Sequence, residues 1–188
     1  MVGRVSRPTP EPWTEPDPVL VKVASTLNPG SVLDVGCGGG HDALWLARHG
    51  WSVTAIDMSR HVISRLRKRL KEAQLDVTPL VADVTTLEAT SEFDLVSICY
   101  MHLPSTDRCK MLGTSSSLVK PGGTLLFRSF DRSLDEAPFD PSLLPSREDV
   151  LAELDAGLQI RRADVADEFF PYMKKQMTLL TVVASRRE

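Results

Sequence analysis

Three clusters of residues have the types and spacing to do chemistry. The first is Asp34-Val35-Gly36-Cys37-Gly38-Gly39-Gly40, which ends an apolar run and leads straight into an amphipathic stretch. Glycines packed there let the backbone turn sharply and approach a ligand closely, as side chains would not allow. The second is a pair of carboxylates, Asp57 and Asp83, each following a short apolar segment. The third is Tyr100-Met101-His102-Leu103-Pro104, after a further apolar run. A crevice at the carboxyl ends of strands is where open α/β sheets bind nucleotides. The dinucleotide pattern GxGxxG would begin at Gly36 and Gly38, but its last position falls on His41, where glycine or alanine is wanted. Asp34 tilts the choice further. A carboxylate beside the loop repels pyrophosphate and suits a ligand carrying an ammonium or sulfonium group.

The elements that must position these residues follow from periodicity. Val19 to Leu27 reads as a short helix stopped by Asn28-Pro29-Gly30. Strands are expected at Val32–Val35, Ser52–Ile56, Val77–Val81, Phe93–Cys99 and Thr124–Ser129. Between them come helices at His41–His49, Ser59–Ala73 and Ser105–Val119. The Lys120-Pro121-Gly122-Gly123 turn precedes the fifth strand. A helix over Ser146–Ala156 starts with a possible capping box from Ser146 to Asp149. Leu158–Asp164 and Met177–Ala184 are two more strands, joined by residues 165–176, and antiparallel pairing suits them. Strands alternating with helices mean right-handed βαβ units and a parallel sheet. The expected fold is therefore α/β: a Rossmann-like, doubly wound sheet of about seven strands, mostly parallel with an antiparallel C-terminal strand, helices on both faces. Residues 19–188 are expected to form one domain. Residues 1–18, with five prolines, form an extended or disordered arm in which Trp13 is the one large aromatic residue.

Composition narrows the function classes. Net charge is -3 and hydrophobic content 42%, so no global positive field invites nucleic acid or anionic lipid. No apolar run is long enough to span a bilayer, and the N-terminus lacks the apolar core of a signal peptide, so a cytoplasmic protein is expected. Cys37, Cys99 and Cys109 show neither a disulfide framework nor a zinc pattern, and read as small buried thiols. No His, Cys and carboxylate cluster has metal-ligand spacing, so no metal is expected. The Arg60, Arg65, Arg67, Lys68, Arg69 and Lys71 run reads as the solvated face of a helix.

Asp34-x-Gly36-x-Gly38-x-Gly40, Asp57, Asp83 and Lys120-Pro121-Gly122-Gly123, each in order at a strand end, resemble the landmarks of the class I S-adenosylmethionine-dependent methyltransferases. A closer resemblance, to small bacterial members related to the tellurite-resistance methyltransferases, rests on three segments. They are Gly38 to Ala47, Phe93-Asp94-Leu95-Val96-Ser97 and Met101-His102-Leu103-Pro104. The resemblance implies S-adenosylmethionine as cofactor and in-line methyl transfer to a small-molecule acceptor, with catalysis mainly by positioning. It implies Asp57 on the ribose hydroxyls and Asp83 at the adenine amino group. Asp34, Gly36, Cys37, Gly38, Gly40, Met58, Val84 and Cys99 complete the cofactor-binding set. His102 and Tyr100 are the catalytic candidates, His102 as the base that an oxygen or protonated nitrogen acceptor would want.

Each residue also has a plainer role. Asp34 suits a turn, Asp57 a helix cap and His102 a helix entry beside Pro104. Two other functions remain open at this level: a non-catalytic S-adenosylmethionine-binding sensor or interaction module, and a nicotinamide-dependent oxidoreductase.

Overall fold

A computed structural model describes residues 14–87, 92–134, 140–170 and 173–188. Trp13 and most of the proline-rich arm lie outside the described residues. The strands are β1 (Ser31–Val35), β2 (Ser52–Asp57), β3 (Val77–Val81), β4 (Phe93–Cys99), β5 (Val119–Phe130), β6 (Leu158–Phe170) and β7 (Lys175–Arg186). The helices are α1 (Pro18–Ala24), α2 (His41–Arg48), α3 (Arg60–Ala73), α4 (Ser105–Ser117) and α5 (Arg147–Glu153). The seven strands form one sheet in the order β3-β2-β1-β4-β5-β7-β6. β1 to β5 pair in parallel, and β7 runs antiparallel to both β5 and β6. This is the Rossmann-like sheet expected from the alternating pattern.

The central strands read as continuous apolar runs because both their faces are covered. Val32, Leu95 and Leu126 join Leu20, Ala43, Leu46, Ile63, Leu66 and Leu70 from α1, α2 and α3. Leu33, Val96, Leu125 and Phe127 pack with Met111, Leu112 and Val150 from α4 and α5. Ile63 and Leu66 are essentially fully buried, each contributing roughly 2 kcal/mol by area. The opposite side of α3 carries the basic residues into solvent, with the exception of Arg69 described below. Ser59 caps α3 by accepting from Val62 N–H.

Several boundaries differ from expectation, each for a physical reason. Asp17 and Pro18 belong to the folded body, because Asp17 caps α1 and Pro18 occupies its first turn, where no N–H is missed. α4 ends at Ser117 and β5 opens at Val119, so the Lys120 to Gly123 turn is looped out of a strand already begun. The β4–β5 ladder shows this as a register jump, from Phe93↔Val119 to Leu95↔Thr124. α5 does start with the capping box: Ser146 N–H donates to Asp149 Oδ2 and Asp149 N–H to Ser146 Oγ. It stops at Glu153, where Leu154 turns extended and Asp155 N–H bonds to Ser116 Oγ. Most of residues 165–176, expected to connect two short strands, is itself strand. β6 and β7 pair from Leu158↔Arg186 to Phe170↔Lys175.

One buried ion pair locks the α4–α5 side. Arg108, 1% exposed, donates through Nε and Nη2 to Glu153 at 2.8 and 2.7 Å. Nothing in the apolar periodicity of α4 marks it.

Candidate functional site

The parallel strands all end at one edge of the sheet, and the glycine loop sits there between β1 and α2. Gly36, Gly38 and Gly40 have φ of 69°, 47° and 75°, a region costly for residues with a Cβ. Cys37 N–H donates to Ile56 O of β2 at 2.9 Å, and Gly40 N–H to Cys37 O at 2.8 Å, which fixes the loop's path. A Cβ on Gly36 would stand 2.1 Å from Met101 Sδ, and one on Gly40 would stand 2.3 Å from Leu66 Cδ1. Arg69 of α3 reaches back to donate to Gly39 O and lies 3.0 and 3.2 Å from the two ring nitrogens of His41. That side chain leaves the solvated face expected for the basic run and braces the loop. A Gly36→Ala variant is therefore expected to displace Met101 and lower cofactor affinity by ~100-fold or more. Calorimetry with S-adenosylmethionine checks this, and unchanged affinity would show that the loop has room to spare.

Two cavities flank Gly36. One, of about 250 Å³, is lined by Asp34, Gly36 to Asp42, Cys99 and Tyr100. The other, of about 410 Å³, is lined by Val35, Gly36, Asp57, Met58, Ala82, Asp83, Val84, Met101 and Leu103, among others. Each cofactor-binding candidate read from the sequence lies in one of these two walls. Asp34 is 2% exposed, and its Oδ2 has no hydrogen-bond partner. Burial, then the neighbouring Asp42 carboxylate, pushes its pKa well up, against a hydrogen bond from Ser97. Burial likewise pushes Asp42, in the first turn of α2, up to about 7. Asp57 accepts from Gly38 N–H at 3.3 Å through one oxygen and from Ser59 N–H at 2.8 Å through the other. It thus tethers the loop and leads into α3, while Ser59 is the helix cap. Asp83 is exposed and accepts from Thr85 N–H and Oγ1, bonds that hold its carboxyl below the usual range. Both Asp57 and Asp83 therefore keep local turn roles while facing the larger cavity.

The catalytic candidates part company. Tyr100, at φ 59°, lines the smaller cavity, and its hydroxyl donates to Asp17 Oδ2 at 2.8 Å. Burial, then the Asp17 charge, drives the phenol pKa upward, so the hydroxyl holds its proton. His102 packs against the Phe130 ring at 5.6 Å, and burial pulls its pKa down to about 4. It does not line either cavity. Burial also raises the thiols of Cys37 and Cys99, which leaves them protonated small groups in the wall.

The sequence reading missed the charged network behind this wall. Asp17 is fully buried, and its N–H donates to Asp42 Oδ1 at 2.8 Å. Its Oδ2 lies 3.5 Å from Arg128 Nε. Arg128, 1% exposed on β5, forks onto Glu168 of β6 and donates to Thr181 of β7. The available signal was Arg128 inside the apolar run Leu125 to Phe130. Asp131 and Arg132, which follow β5, hold local structure. Asp131 is buried and caps a turn through Ser133, and Arg132 pairs with Asp149.

Comparisons with known proteins agree with this geometry. Residues 32–123 match the family model described as a methyltransferase domain. Ubiquinone biosynthesis O-methyltransferase of Coxiella burnetii is 35% identical over 111 residues, covering 57% of this chain and 47% of that protein. The chain thus aligns with about half the length of the curated relatives it matches. TehB of Haemophilus influenzae superposes with a TM-score of 0.77 at 18% identity, covering 90% of this chain and 62% of that one. N-methyltransferase NodS of Bradyrhizobium japonicum, in complex with S-adenosyl-L-homocysteine, superposes at 0.72 and 19% identity, covering 90% and 85%. These two show the fold. The chain is therefore similar to known methyltransferases in sequence over residues 32–123, where the glycine loop lies, and in fold over nine-tenths of its length.

Proposed function

We propose that this protein transfers the methyl group of S-adenosylmethionine to a small-molecule acceptor, with the folded body from Asp17 onward acting as one catalytic domain. The observation that carries the reading is Asp34: a buried carboxylate whose Oδ2 lacks a partner, in the wall of the glycine-loop cavity. Burying a carboxylate without a partner is costly, and a ligand ammonium group offsets that cost. Asp34, with Gly36, Cys37, Gly38 and Gly40, would hold the amino acid end, and Cys99 would close the wall beside it. Asp57 would accept from the ribose hydroxyls. Met58, Val84 and Asp83 would hold the adenine, in a cavity whose lining is otherwise largely apolar.

When bound, the cofactor supplies a methyl group made electrophilic by its sulfonium. The chain's contribution is alignment of acceptor and methyl at near-attack distance. Tyr100 holds its proton and acts by orientation. His102 is neutral at pH 7 and able to accept a proton, though a pKa near 4 makes it a weak base. With His102 outside the lining of both cavities, the reading favours acceptors needing little deprotonation, such as soft nucleophiles or readily ionised hydroxyls. A cytoplasmic setting suits the three free cysteines.

Calorimetry with S-adenosylmethionine, S-adenosylhomocysteine and NADH tests the reading. Binding of the first two and not of NADH is expected. Asp57→Ala is expected to weaken both by at least ~100-fold, from loss of two charge-assisted hydrogen bonds of roughly 1.5–3 kcal/mol each. Binding of NADH, or of none of the three, would overturn it.

A further inference from the structure

We propose that the edge of β6, unpaired among the described residues, is a homodimer interface, where it pairs antiparallel with β6 of a second copy about a twofold axis at Val165. The two edges of the sheet are built differently. β3, at one edge, has five residues and Pro79 at its centre, which removes an N–H from any further ladder. β6, at the other edge, runs for thirteen residues without a proline. A long strand edge of this kind is a template for pairing with another chain. It also carries apolar side chains in solvent: Ile160, Val165 and Phe169 are 40%, 38% and 59% exposed.

Charge identifies the occupant. The first half of β6 holds Arg161 and Arg162, and the second half holds Asp164, Asp167 and Glu168. A strand that is basic and then acidic complements a copy of itself only when the copy is reversed. Opposed side chains in an antiparallel ladder share a face, so the pairing centre must be a residue. Centred on Val165, the two copies place Val165 against Val165, Arg162 against Glu168 and Ala163 against Asp167. Arg161, in the bulge between Ile160 and Arg162, donates through Nε to Ser185 Oγ of β7 and stays with its own sheet. Arg162 pairs with Asp164 along β6 and Glu168 with Arg128 of β5, so the cross-copy pairs extend an existing charge network.

Sedimentation velocity across about 1 to 100 µM protein tests the proposal, since dimer mass is concentration-dependent. The expected result is a species of twice 20.7 kDa at the upper end. Val165→Lys would place two like charges on the twofold axis and is expected to raise the dissociation constant at least ~30-fold. Phe169→Lys, at a more exposed site, is the second variant, and circular dichroism confirms that each is folded. S-adenosylmethionine affinity should be unchanged in both. A monomer at every concentration, or a dimer insensitive to the folded variants, would overturn the proposal.

Discussion

Asp34→Asn is expected to weaken S-adenosylmethionine binding by ~100-fold while making the ligand-free protein more stable. Both effects come from one group. The Asp34 carboxyl is buried and one of its oxygens has no partner, so ionisation in the folded chain is penalised. Its folded pKa is raised above the unfolded value. Such a carboxylate lowers stability as pH rises through the unfolded pKa, and the loss levels off above the folded pKa. Asparagine has the same shape and no charge, so roughly 1–3 kcal/mol of stability at pH 7 is expected to return. The ligand's ammonium would then meet a neutral amide. Cofactor affinity in the unsubstituted protein should also rise with pH, as Asp34 and Asp42, the latter near 7, lose their protons. Calorimetry at pH 6 and pH 8, in buffers of differing ionisation enthalpy, reads the proton release. Equal affinity in Asp34→Asn would remove the carboxylate from cofactor recognition.

The second large effect is on the fold. Arg128→Met is expected to cost about 3–5 kcal/mol, because it strands Asp17 and Glu168 without their cation. For a chain of this size that is a fall in melting temperature of about 10 °C. Glu168 is partly exposed and can turn to water, whereas Asp17 is fully enclosed, so most of the loss should come from Asp17. Adding Asp17→Asn and Glu168→Gln to Arg128→Met should recover much of the stability, since breaking a buried pair costs more than replacing it. A melting curve unmoved by Arg128→Met would show that the network contributes no net stability.

How well the sequence served depends on the kind of residue. The glycine loop was legible because backbone demands are local: a strand end, a tight turn and a helix start leave few alternatives to glycine at Gly36 and Gly40. Asp57 and Asp83 were legible from their positions at strand ends. Asp17 and Arg128 were not, because 111 residues separate them in the chain and only the completed sheet brings them together. The same applies to Asp42, which reads as an ordinary first-turn acid of α2 and becomes a neighbour of Asp34 only in three dimensions. The length of β6 was hidden too. Charged residues interrupt its apolar alternation, and its charge is accommodated by Arg128 and by solvent at the sheet edge.

The sheet order carries a lesson about how this chain is made. β7 follows β6 in synthesis yet lies between β5 and β6. A chain still on the ribosome, grown only as far as Phe170, has β1 to β5 ready to assemble but gives β6 nothing to hold. Until Lys175–Arg186 arrives, Arg128 also lacks the strand that brings Glu168 alongside it. Assembly of the half that carries the glycine loop can therefore run ahead of the synthesis of β7, while closure of the β5–β7–β6 half waits for that strand.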